Sequence, residues 1–128
     1  MTRTKDWLQY SEELIKIADL LMDKGRFSWS CFTSQQAATA ALKAILSKSG
    51  EPTIGDNLIA LLRTVKENIS IPVDVKDACH QVNDYFKTSR NLEHKPEGTP
   101  LSNYSLEESQ KAKNDALMVI RFAYHESQ

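Results

Sequence analysis

Trp29-Ser-Cys-Phe-Thr-Ser-Gln-Gln-Ala-Ala-Thr-Ala-Ala-Leu-Lys-Ala-Ile-Leu46 decides the fold. Its aromatics Trp29 and Phe32 stand one helical step apart, and five alanines, Ala37, Ala38, Ala40, Ala41 and Ala44, allow another backbone to approach closely. Gln35 and Gln36 add hydrogen-bonding ends to this apolar setting. The stretch predicts a central helix touched on several sides.

Working outward, the flanking segments also read as helices. Trp7, Tyr10, Leu14, Ile17, Ala18 and Leu21 recur at three- and four-residue steps between Lys5 and Lys24 and form the expected inner stripe of a first helix, with Gly25 as its C-terminal cap. The central helix starts at Phe27 or Ser28 and stops before Gly50 and Pro52. Asp56 reads as the N-cap of a short third helix with Leu58, Leu61, Leu62 and Val65 on one face. After Ile71-Pro72, a fourth helix carries Val75, Ala78, Cys79, Val82, Tyr85 and Phe86 inward and ends near Ser89 or Arg90. The segment from Asn91 to Asn103 holds two prolines and a glycine and has neither helical nor strand periodicity, so it reads as a loop. Ser105-Leu-Glu-Glu108 has the form of a capping box for a last helix, with Ala112, Ala116, Val119, Ile120, Ala123 and Tyr124 inward. No alternating β-branched run occurs. The expected fold is all-α, an antiparallel up-and-down bundle of four to five helices in one domain over 1–128.

Bulk properties narrow the function classes. The chain has 128 residues, 41% hydrophobic and 26% charged, and no apolar run approaches the roughly 20 residues that span a bilayer. No export signal follows Met1, so a cytoplasmic protein with no membrane association is expected. A net charge of -1 lacks the broad positive footprint of a general nucleic-acid binder, so any such contact must come from a local patch. Cys31 and Cys79 read as buried reduced thiols. His80, His94 and His125 lack ligand spacing, so neither a metal nor a cofactor is expected.

Three features in order carry a family resemblance: Asp6-Trp7-Leu8 in the first helix, Cys31-Phe32 with Gln35-Gln36-Ala37-Ala38 and Ala41-Leu42-Lys43-Ala44 in the second, and the capped last helix after a proline loop. With Leu58, Leu61-Leu62, Ser89-Arg90 and Tyr104 through Ala112, nearly the whole chain resembles the HEPN domain, the higher eukaryotes and prokaryotes nucleotide-binding family. The resemblance implies a homodimer and, in many small prokaryotic members, a minimal nucleotidyltransferase partner, including toxin–antitoxin pairs. The crowded central helix independently suggests self-association, since small and apolar residues on several sides need more than one neighbour. Two motifs depart from relatives. Where relatives of this size often carry Thr-His-Asp-Leu this chain has Gly55-Asp56-Asn57-Leu58, and where they carry Thr-Arg-Tyr-Pro-Asp it has Ser89-Arg90-Asn91-Leu92-Glu93.

Ribonuclease members resemble one another in an Arg, a neighbouring polar residue, and a His after four to six intervening positions. Metal-free RNA cleavage suits that pair, because imidazole can take the 2′-hydroxyl proton while a guanidinium stabilises phosphate charge. Here Arg90 and His94 are the catalytic candidates, but only three residues separate them. Arg121 and His125 repeat the spacing inside a helix, which lowers its specificity. The favoured alternative is a non-catalytic module in which Arg90 with Lys87 holds a phosphate, a nucleotide or RNA, or an acidic partner surface. Gln35 and Gln36 are ligand candidates that also suit internal hydrogen bonding. Trp7 and Trp29 read as core anchors, Tyr104 as a packing residue before the last helix, and Lys43 as a solvated charge.

Overall fold

The computed structural model describes residues 2–90, 97–99 and 103–128. Its elements are α1 (Thr4–Asp23), α2 (Phe27–Lys48), α3 (Leu58–Lys66), α4 (Val73–Asn83), a single turn α5 (Tyr85–Thr88) and α6 (Leu106–Glu126). The described residues form a helical bundle without strands, as the periodicity predicts.

Helix boundaries follow from local chemistry. Gly25 adopts φ 74° and Gly50 φ 76°, a region where a side chain is disfavoured. After α1, the Gly25 N–H donates to Met22 O at 3.0 Å and the Arg26 N–H to Leu21 O at 2.8 Å, the paired bonds of a Schellman stop. The same pattern closes α2, with Gly50 N–H on Ser47 O and Glu51 N–H on Leu46 O. Ser105 Oγ accepts the Glu108 N–H at 3.1 Å, so the serine half of the expected capping box forms. The α3 cap differs from expectation by one residue. Asn57, not Asp56, accepts the N–H groups of Ile59 and Ala60 at 3.0 and 3.1 Å.

Fifteen of the 22 residues of α2 are buried, which makes it the core about which the others pack, and it contacts every other helix. Hydrogen bonds set the directions. Thr4 Oγ1 donates to Ala44 O and Ser30 Oγ to Ala18 O, so α1 and α2 run antiparallel. Lys48 Nζ reaches the carbonyls of Glu126 and Gln128, so the ends of α2 and α6 coincide and these two helices run the same way. The connection 49–57 returns alongside α2, bringing Asp56 opposite Gln35. Leu42, Leu46, Leu58, Val65, Val82 and Val119 fill the centre.

Two expectations about burial are corrected. The inner face of α1 is Leu8, Ser11, Leu14, Ile15 and Ala18, while Tyr10 and Ile17 lie outside with Leu20. The reason is the small Ser11, which lets α1 turn its close-packed edge onto α2 and leaves the larger side chains on the shoulder. Trp29 is 48% exposed rather than a core anchor, its ring set edge-on to Phe32. The crowding of α2 is met by α1, α3, α4, α5 and α6 within the chain, so it no longer argues for a second copy. Among the described residues, no helix is long and apolar enough to cross a membrane.

Candidate functional site

Arg90 follows the last turn of the α4–α5 arm, where local bonds hold the chain firmly. Ser89 is fully buried and its hydroxyl donates to the Tyr85 carbonyl. Thr88 Oγ1 accepts from Tyr104 Oη at 2.8 Å, and the Tyr104 ring meets Tyr85 at 6.0 Å, tying this turn to the approach of α6. Tyr104 therefore packs as expected before the cap, although its ring partner lies on α5.

On this platform the Arg90 guanidinium sits 4.1 Å from the Phe32 ring centroid and 4.8 Å from that of Phe86. Each such contact contributes about 0.5–1 kcal/mol at an exposed site. Nε and Nη2 both donate to the Phe86 carbonyl, at 3.2 and 2.7 Å. These bonds occupy one edge of the guanidinium, and its remaining N–H groups have no other acceptor among the described residues. Arg90 lines an open cavity of about 490 Å³ with Arg26, Ser28, Trp29, Leu21, Ser89 and Thr99. Two guanidinium groups and no carboxylate among these lining residues make its chemistry suited to an anion.

Lys87 faces elsewhere. It lines a cavity of about 340 Å³ with Asp56, Asn57, Asn83, Asp84 and Phe86, none of which lines the Arg90 cavity. Two carboxylates beside one ammonium make this second cavity a poor anion site. Gln35 is fully buried and its Nε2 donates to the Asp56 carbonyl at 2.9 Å. Gln36 Nε2 donates to Gln35 Oε1 at 2.8 Å and reaches Asp56 Oδ1 at 3.4 Å. The pair thus forms an internal network behind the Lys87 cavity. Of the sequence-derived site residues, Lys87, Gln35 and Gln36 gather around Asp56, Arg90 stands apart, and His94 lies outside the described residues.

Arg26 and Ser28 are cavity residues that the sequence reading does not single out, and Trp29, read there as a core anchor, lines the same cavity; Arg26-Phe27-Ser28-Trp29 at the start of the signature helix is a usable signal. Lys43, expected in solvent, lies 5.3 Å from the Trp7 ring centroid. Both cysteines are free and buried, and burial pushes each thiol up to about 12, with Glu108 adding to the effect at Cys31 and Asp115 at Cys79. Such thiols stay protonated and are unsuited to nucleophilic work. No cluster of metal-ligating side chains occurs among the described residues.

The model of the HEPN domain family matches residues 4–127, and the chain belongs to that family. A crystal structure of a protein from Thermus thermophilus is 28% identical, with a TM-score of 0.93, covering 98% of this chain and 99% of that one. A HEPN domain protein from Thermotoga maritima is 26% identical with a TM-score of 0.76, covering 94% and 95%. An archaeal HEPN homologue shares the fold over 100% of both chains, with a TM-score of 0.83 at 23% identity. Among curated proteins there is no match.

Proposed function

We propose that this HEPN-domain protein is a non-catalytic module that binds the phosphate of a nucleotide through Arg90, acts as a homodimer, and works in the cytoplasm beside a minimal nucleotidyltransferase, in a system of the toxin–antitoxin type. One observation carries the binding role: a guanidinium stacked on Phe32 and Phe86, tethered by the Phe86 carbonyl, with an open edge on a basic cavity. A group fixed in advance loses little side-chain entropy when a ligand arrives, so more of the charge-assisted bonding appears as affinity. The homodimer is supported by the exposed Tyr10, Ile17 and Leu20 on one shoulder of α1. The nucleotidyltransferase partner rests on the family alone, and a search of the neighbouring reading frames for such a protein tests it. Calorimetric titration with adenosine 5′-monophosphate tests the site: binding by the native chain and its loss in Arg90→Gln are expected, and equal binding by the variant refutes the role of Arg90.

The same fixed guanidinium favours a second reading, a metal-independent ribonuclease in which Arg90 stabilises phosphate charge and His94 moves the proton across a dimer cleft. Incubation with single-stranded and structured RNA in chelator separates the two. Intact RNA agrees with the binding module, whereas cleavage abolished in His94→Ala establishes the enzyme.

A further inference from the structure

Beyond Arg90, the basic cavity is closed by the first turn of α2. Arg26 is the residue at the N-cap position and supplies no side-chain cap to the leading amides of this helix. Such amides, with the positive end of the helix dipole, attract anions. A helix start alone is not a site. A second, independent feature lies beside it: Ser28, 1% exposed, lines the cavity and its Oγ has no hydrogen-bond partner among the described residues.

An orphan buried hydroxyl costs about 1–3 kcal/mol of uncompensated desolvation, and its neighbours show that this helix ordinarily satisfies such groups. Ser30 Oγ donates to Ala18 O at 2.8 Å, and Thr33 Oγ1 to Trp29 O at 2.7 Å. Ser34 Oγ is also unpartnered, but Ser34 is fully buried and is not among the residues lining the Arg90 cavity. Of the two, Ser28 is the one that lines the Arg90 cavity. Arg26, exposed at the same cavity, adds a second charge to that of Arg90.

We infer that Ser28, Arg26 and the leading amides of α2 form one wall of a phosphate site whose opposite wall is Arg90, and that it takes a phosphate monoester. The inference rests on the reading of Arg90 as a phosphate ligand. A terminal phosphate offers several acceptor oxygens, enough to meet the Ser28 O–H, the open edge of Arg90 and Arg26 together. Trp29, half exposed at the same cavity, supplies a face for a base. Inorganic phosphate and a nucleotide share the recognised group, and the test distinguishes them.

The test titrates the full chain with inorganic phosphate, adenosine 5′-monophosphate and adenosine, followed by calorimetry, in the native protein and in Ser28→Ala, Arg26→Gln and Arg90→Gln. Ser28→Ala removes a hydroxyl without a partner in the free protein, so its thermal midpoint should equal or exceed the native one. Its affinity for the monophosphate should fall about 10- to 100-fold, the worth of one charge-assisted hydrogen bond, and Arg26→Gln should lose a similar factor, while adenosine binds no variant. A nucleotide ligand is indicated by tighter binding of the monophosphate than of inorganic phosphate, and equal affinities indicate free phosphate. Native affinity in Ser28→Ala and Arg26→Gln, with loss in Arg90→Gln alone, overturns the α2 wall and leaves the Arg90 reading standing. Loss in the α2 variants with native binding in Arg90→Gln does the reverse. Absence of binding by the native chain at millimolar ligand overturns both.

Discussion

Gln35 Nε2 donates to the backbone carbonyl of Asp56 at 2.9 Å across a separation of 21 residues, and this bond ties the central helix to the connection that precedes α3. Gln36 completes the arrangement through Gln35 Oε1. Removing the Gln35 amide takes this donor from the Asp56 carbonyl and leaves Gln36 Nε2 only its longer contact with Asp56 Oδ1, in a part-buried setting. Gln35→Ala should therefore destabilise the fold by about 1–3 kcal/mol, read from urea unfolding, while affinity at the Arg90 cavity stays native. A loss of phosphate binding with native stability would reassign Gln35 to the site.

The shoulder of α1 tests self-association. Tyr10, Ile17 and Leu20 are 51%, 40% and 62% exposed, more apolar surface than a stray residue leaves on one helix face. Light scattering should give about twice the chain's 14.5 kDa. Leu20→Glu should return the mass to that of one chain without lowering the thermal midpoint, because Leu20 contributes little to the core. A dimer that persists in Leu20→Glu places the interface elsewhere.

The buried thiols predict an alkaline limit to stability. In an unfolded chain a thiol ionises near 9.0, whereas Cys31 and Cys79 keep their protons to about 12. Between those values the folded chain holds more protons than the unfolded one, so the thiols' contribution to stability is complete below about pH 9 and is lost as pH rises toward about 12. The urea midpoint should drop across that window, and Cys79→Ala should flatten the drop. A thiol reagent should label neither cysteine in the native protein and both in urea.

Gly25 stands at φ 74° with nothing within 4 Å of the position a Cβ would take. The cost of Gly25→Ala is therefore conformational, about 1–2 kcal/mol, with no steric part. Chemical denaturation should show that loss with an unchanged slope. Gly50, at φ 76° in the same kind of stop, should behave alike.

The bundle is legible in the sequence because its signals are local. Alanines packed from Ala37 to Ala44, Gly25 and Gly50 as stops, and Ser105 as a cap each act within a few residues of themselves. The α3 cap is ambiguous because Asp56 and Asn57 are equally good capping types. What separates them is that Gln35 and Gln36, on another helix, engage Asp56. The inner face of α1 is displaced from the expected stripe because periodicity favours large apolar residues, while the close contact with α2 is made through Ser11 and Ala18. Arg90 stands out from its motif, yet its stacking on Phe32 and its separation from Lys87 depend on how Phe86 is turned, which no spacing encodes. Arg26 and Ser28 share a cavity with Arg90 only after the long stretch of chain between them has folded.

Because α2 touches every other helix, its amide protons should exchange with solvent on a different clock from those of its neighbours. Between Ala37 and Leu46, exchange requires the whole bundle to open, so protection there reports the global free energy. The single turn Tyr85–Thr88 has no buried residue, so its amides should exchange through smaller openings than those of α2. Hydrogen exchange along this chain should thus divide a slow axis from a fast rim, with Arg90 next to the rim, where a ligand's arrival is recorded as a gain in protection.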